Sequence, residues 1–181
     1  MKIKSNYSRN LLVIILLVFS TNTFAQLGFG ASHSCNINAI CDYPWCNQRR
    51  SVVLISWMKN NILHTASGAL LASERRDGRP YVLTAGHILQ LDDQSAISPA
   101  EEQHVNTYTF TFNYQSQNCP NPAAPGPTAT YTLVGATLRK YLINQSDFAL
   151  LELNQRPPVN FNVFYSGWNN TKDGEPDNIC L

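Results

Sequence analysis

The sequence is short of charge. Lysine, arginine, aspartate and glutamate make up 14% of its 181 residues, against roughly 25% in an ordinary soluble protein. Thirteen cations and twelve anions leave a formal net charge of +1, and no run of one sign occurs. Nothing in that balance suits nucleic acid or an anionic membrane surface, and neither is expected as a partner. Heptads and internal repeats are also absent, which removes coiled coils and solenoids from consideration. The longest apolar run, from Leu11 to Phe19, falls short of the roughly 20 residues that a membrane-spanning helix needs. Cys41 and Cys46 have no nearby histidine or second close cysteine pair to complete a tetrahedral zinc site. No metal and no cofactor are expected.

What is present begins with an address. Lys2, Lys4 and Arg9 precede the apolar run, and Thr23-Phe24-Ala25 offers a small-residue cleavage site before Gln26. That order is the pattern of a secretory signal peptide, with an uncleaved membrane anchor as the competing reading. Removing residues 1–25 takes away three cations and no anion, so the net charge moves from +1 to −2. The remainder is long enough for one ordinary domain with its own core. All five cysteines (Cys35, Cys41, Cys46, Cys119, Cys180) lie in it. In an exported chain they read as a disulfide framework. An odd count leaves one thiol free or paired outside the chain, a sign that the sequence is incomplete.

The mature part reads as all-β. Short runs rich in Val, Ile, Thr, Tyr and Phe recur at 51–57, 63–72, 80–84, 106–114, 128–143, 148–153 and 161–167. Between them stand turn-like clusters: Lys59-Asn60-Asn61, Arg75-Arg76-Asp77-Gly78, and a stretch with four prolines at 120–127. No stretch of the mature part keeps a helical period for 10–12 residues. Many short strands with such turns predict a sandwich or barrel. The polar, acidic segment 90–103 is expected to be a surface loop.

Two segments carry candidate chemistry. One is an apolar strand, Tyr81 to Ala85, that runs into Gly86-His87; the other is Asp147, which opens the apolar strand ending at Leu153. An acid at the mouth of such a strand is expected to be partly buried, where it needs a hydrogen-bonding partner. A histidine donating Nδ1–H would satisfy it and leave Nε2 free as a general base. That pairing is two thirds of a Ser-His-Asp triad. Taken alone, a strand-end histidine is commonly structural and an aspartate before a strand commonly a turn residue. His33, His64 and His104 read as surface or structural, and Arg75, Arg76 and Arg79 as a solvated turn.

The two motifs resemble a known family. T-A-G-H at 84–87 is similar to the signature around the catalytic histidine of trypsin-like serine proteases, and S-D-F-A-L-L-E-L at 146–153 to their catalytic-aspartate strand. Four further stretches resemble bacterial lysyl endopeptidases: C-N-I-N-A-I-C at 35–41, S-G-A-L-L at 67–71, F-N-Y-Q-S-Q-N-C at 112–119 and F-N-V-F-Y-S-G-W at 161–168. The order His then Asp is also that of the chymotrypsin-like fold. The resemblance implies a Greek-key β-barrel, the first of two, with the start of the second. After the signal peptide of residues 1–25, it assigns 26–50 to a disulfide-anchored segment and 51–181 to the N-terminal part of the protease domain. It implies His87 as general base, Asp147 as its orienting partner, a Cys41–Cys119 disulfide, and a partner for Cys35 beyond Leu181. Many relatives bridge two cysteines at positions held here by Ala66 and Ile88.

One element of a protease is missing. No G-x-S-G segment occurs, and Ser67 and Ser166, in A-S-G-A-L and Y-S-G-W, do not resemble the nucleophile. The nucleophile, the oxyanion-hole amides and the residue that selects lysine are expected downstream, and the 181 residues alone are expected to have no peptidase activity. The expected whole is a secreted or periplasmic serine endopeptidase, monomeric at full length, acting on polypeptide. Its rivals are a protease-like binding protein that never had a nucleophile and a small disulfide-rich structural module.

Overall fold

The computed structural model describes residues 39–41, 43–91, 96–116, 119 and 131–169. The signal segment, Cys35 and Cys180 lie outside them. Seven strands form one sheet: β1 (Val52–Lys59), β2 (Ile62–Leu71), β3 (Tyr81–Ala85), β4 (Thr109–Phe112), β5 (Thr132–Val134), β6 (Ala136–Leu142) and β7 (Phe148–Leu153). Every strand pairing is antiparallel, and the order across the sheet is β5-β4-β1-β2-β3-β7-β6. The fold is all-β.

That order has a simple consequence. The two edge strands, β5 and β6, are consecutive in the chain with only Gly135 between them. Gly135 has a φ of +86°, a region that only glycine enters freely. Its N–H donates to the Tyr108 carbonyl beside β4 at 2.8 Å, and its own carbonyl accepts from Asn154 N–H beyond β7 at 3.1 Å. The run 128–143, read from sequence as a single strand, is bent in its described part at Gly135, and β5 and β6 on either side join the two ends of the sheet. A β-carbon there would stand 2.5 Å from Asn154 Nδ2 and 2.9 Å from the Asn106 carbonyl, so the bend demands glycine on space as well. The sheet curls as a barrel does, and the bend at Gly135 carries the chain from one edge of it to the other. β1, β2 and β3 form a meander, and β4 returns by a long connection to lie beside β1, which is the Greek-key arrangement.

Alternation along the strands fills the interior. Val53, Ile55 and Trp57 on β1, Phe110 and Phe112 on β4, and Ala149, Leu151 and Leu153 on β7 are buried. Their neighbours on β1 and β7 are more exposed, as a period of two requires, whereas Thr111 on β4 is buried as well. The β1–β2 hairpin turns on Asn60 and Asn61, with φ of 51° and 62°. Two left-handed residues closing the Lys59–Ile62 pair make a type I′ turn, which matches the twist of the strands it joins.

Two further expectations are corrected. The segment 90–103 is not simply a loop, because α1 (Pro99–His104) lies largely within it and buries Glu101. Ser98 caps that helix and Glu101 bonds back to the cap, a reciprocal box with proline at the first helical position. Nor is 161–167 a strand. It begins at the end of a 3₁₀ turn, Val159–Phe161, passes through a left-handed Asn162, and has one isolated bridge, Leu71 to Ser166. The Ser166 and Ala72 main chains and the Trp168 indole, which donates to the Ala72 carbonyl at 3.0 Å, pin this segment across the end of β2.

Candidate active site

β3 ends at Ala85, and the chain passes straight into a 3₁₀ turn, Gly86–Leu89, that carries His87. α2 (Ile143–Ser146) follows β6 and ends at Asp147, whose φ is 41°. β3 and β7 are paired through Ala85 and Phe148, so the turn after β3 and the residue before β7 meet on one rim of the barrel. Sixty residues of separation collapse to direct contact.

Three contacts join them. The Asp147 carbonyl accepts from Gly86 N–H at 3.0 Å. Asp147 Oδ1 accepts from His87 N–H at 2.8 Å, and Oδ2 lies 2.7 Å from His87 Nδ1. The approach is close enough that a β-carbon on Gly86 would come within 3.0 Å of the Phe148 carbonyl and 3.3 Å of Asp147 Oδ1. The hydrogen bond to the His87 ring, then the one to its main-chain N–H, holds the Asp147 carboxyl below the ordinary aspartate value. Among the described residues His87 Nε2 has no hydrogen-bond partner.

The pair is more open than the sequence implied. The His87 and Asp147 side chains are 64% and 46% exposed, so the expected partial burial of Asp147 does not occur. The reason is its place: it stands on the rim, and the strand it precedes first turns a side chain inward at Ala149, which is fully buried. At such exposure the contact contributes at most about 1 kcal/mol to stability. Its consequence is orientation of the ring.

Of the two serines weighed, neither reaches His87. Ser166 Oγ donates to Ser51 Oγ at 2.7 Å, and Ser67 lies within β2, where its carbonyl accepts from the Thr84 hydroxyl at 2.9 Å. A cavity of about 500 Å³ is lined by Leu71, Tyr81, Arg79 and Trp168 among others, and by neither His87 nor Asp147. Among the described residues no group of three or more His, Cys, Asp or Glu is placed to hold a metal ion, and no helix is long and apolar enough to cross a membrane.

The remaining sequence candidates fall out as follows. Cys41 and Cys119 are joined by a disulfide with a Cα separation of 5.5 Å, and Cys46 is a free, exposed thiol. His64 stacks on Trp57 and His104 meets the edge of Tyr108, both structural placements. Arg79 is more than a solvated turn residue. It pairs with Glu152 at 3.0 Å, which also takes Arg139 at 2.6 Å, and lies over the Tyr81 ring. One residue next to the site went unread: Tyr108, whose hydroxyl donates to the Ile88 carbonyl at 2.8 Å, one residue beyond His87.

The family described as lysyl endopeptidase, C-terminal domain, matches residues 29–181. That span takes in every described residue, the disulfide and both members of the rim pair. The chain belongs to the lysyl endopeptidase C-terminal domain family.

Proposed function

We propose that this chain is the first barrel of an exported serine endopeptidase of the trypsin-like clan, with His87 as general base and Asp147 as the residue that orients it. The observation that carries the reading is the 2.7 Å contact between His87 Nδ1 and Asp147 Oδ2. A carboxylate on Nδ1 selects the tautomer in which Nε2 is unprotonated, the form that takes a proton from an attacking hydroxyl and later returns it to the leaving amine. Membership of the lysyl endopeptidase family supports peptide-bond hydrolysis, with cleavage after lysine as the preference that the family suggests. The Cys41–Cys119 bridge is of the kind that persists in oxidising compartments, which agrees with residues 1–25 as an export signal.

No serine of the chain stands in a G-x-S-G context, so the proposal places the nucleophile and the oxyanion donors on a second barrel that follows the sequence given. The 181-residue chain alone is then expected to hydrolyse no peptidyl-lysine reporter, and turnover above a buffer blank would sink that division of the site. The gene product read through beyond Leu181 is expected to react with a fluorophosphonate. In it, His87→Ala is expected to slow turnover by about 10⁴-fold. A full-length product that never labels would remove the protease reading and favour a binding protein built on the same barrel without a nucleophile.

A further inference from the structure

We propose that Tyr108 is a positioning residue for His87, holding from inside the barrel the turn that Asp147 holds from the rim; this rests on the reading of His87 as a general base. The three contacts made by Asp147 end at Gly86 and His87. The next carbonyl, that of Ile88, is reached from the interior, where it accepts the Tyr108 hydroxyl at 2.8 Å. The turn is thus gripped on both sides of the histidine.

Tyr108 is itself fixed in place. It is 0% exposed, and its ring lies 5.2 Å from Trp57 and 5.5 Å from His104, centroid to centroid. Its main-chain N–H donates to Val105 and its carbonyl accepts from Gly135, at 3.2 and 2.8 Å, so it is tied to the bend between β5 and β6. Burial, and then the nearby Glu101 charge, push the phenol above its ordinary value.

The last carbonyls of a helical turn have no partner within the turn. Ala66 and Ile88 carry no thiols that could tie this turn to β2 instead. Phenylalanine at 108 would fill nearly the same volume and leave the Ile88 carbonyl without the hydroxyl. The tyrosine oxygen therefore serves the turn and not the packing. Small displacements matter here because a base works only within a narrow geometry.

The test is the tautomer of His87 in the 181-residue chain, read by long-range proton–nitrogen NMR of the imidazole. The native chain is expected to hold the Nδ1–H form. Tyr108→Phe, folded by its amide spectrum, is expected to lower the ratio of Nδ1–H to Nε2–H several-fold. Tyr131→Phe, which removes a hydroxyl elsewhere beside the core, is expected to leave it unchanged. An unchanged ratio in Tyr108→Phe, or an equal change in Tyr131→Phe, overturns the positioning role and leaves the His87–Asp147 reading standing. A native chain with no preference for Nδ1–H overturns that reading, and the inference with it. Should Tyr108→Phe not fold, 2,3-difluorotyrosine at 108 keeps the ring and strengthens the donor. It is then expected to move the Ile88 carbonyl carbon downfield and raise the same ratio, and no change in the ratio overturns the proposal.

Discussion

Asp147 has a left-handed backbone, with φ of 41°, a region that aspartate and asparagine enter more readily than other residues with a side chain. Asp147→Asn therefore keeps the turn and changes only the chemistry. The amide oxygen can still accept from His87 N–H, but the amide nitrogen then donates toward Nδ1 and selects the opposite tautomer. The pH dependence follows from the depressed folded-state pKa of Asp147. Its ordinary value is 3.8 and the folded value lies below it, through the His87 ring contact first. A depressed acid contributes stability that is complete above the unfolded value and is lost as pH falls through the folded one. Near half exposure makes the contribution small and sensitive to salt. The Tm difference between the native chain and Asp147→Asn is therefore expected to shrink as pH falls from about 5 toward 2. A difference that stays constant over that range would show that the charge contributes nothing. The His87–Asp147 contact was foreseen mainly through the resemblance of T-A-G-H and S-D-F-A-L-L-E-L to known motifs, since a strand-end histidine and an aspartate before a strand are each commonplace. Tyr108 was not, because its partner is a main-chain carbonyl twenty residues upstream, and main-chain partners leave no trace in residue order.

Among the elements, strands with a clean alternation were readable and those defined by one side chain were not. β7 alternates without a fault from Phe148 to Leu153, and its limits match the sequence reading. The segment after Phe161 has a similar composition but only one bridge, because its hydrogen bonds go to the end of β2 and to Arg50. α1 was hidden by its polarity, although Ser98, Pro99 and Glu101 spell a capping box that is visible in the residues themselves. The box reaches beyond the helix. Glu101 Oε2 accepts from the Ser98 N–H at 2.7 Å and its hydroxyl at 2.8 Å, and Oε1 accepts from Leu91 N–H at 2.6 Å. One carboxylate thus ties the chain just past the His87 turn to the start of α1. Glu101→Ala is expected to cost about 1–3 kcal/mol, the penalty for donors left without an acceptor, and Ser98→Ala about 1 kcal/mol for the lost cap. Because both act in one network, the double variant should lose less than the sum of the singles in urea unfolding. Strict additivity would show two independent interactions.

At the scale of the whole molecule, barrel and bridge divide the site between them. The Cys41–Cys119 disulfide spans a sequence separation of 78 residues, which takes in β1 to β4 and His87 but not β5 to β7 or Asp147. The β3–β7 ladder brings Asp147 back to the histidine, while the bend at Gly135 ties the chain between β5 and β6 to Tyr108 and Asn154. The resemblance implied the bridge, yet this tie was not readable, since a glycine within an apolar run marks a bend without saying which strands lie on either side of it. In a chain-entropy estimate a loop of this length stabilises the fold by about 4 kcal/mol, a large share of the roughly 5–15 kcal/mol of a typical domain. The paired substitution Cys41→Ala with Cys119→Ala is expected to lower unfolding free energy by about that amount, measured by urea in a Cys46→Ser background so that the exposed thiol forms no substitute bridge. The rim pair lies outside the constraint, held by the β3–β7 ladder. Any folded fraction of the variant should therefore keep the His87 tautomer of the native chain. A loss of that tautomer in folded protein would show that the bridge shapes the site as well as the unfolded state. An unchanged unfolding midpoint would show instead that the denatured chain is already as compact as the bridge would make it.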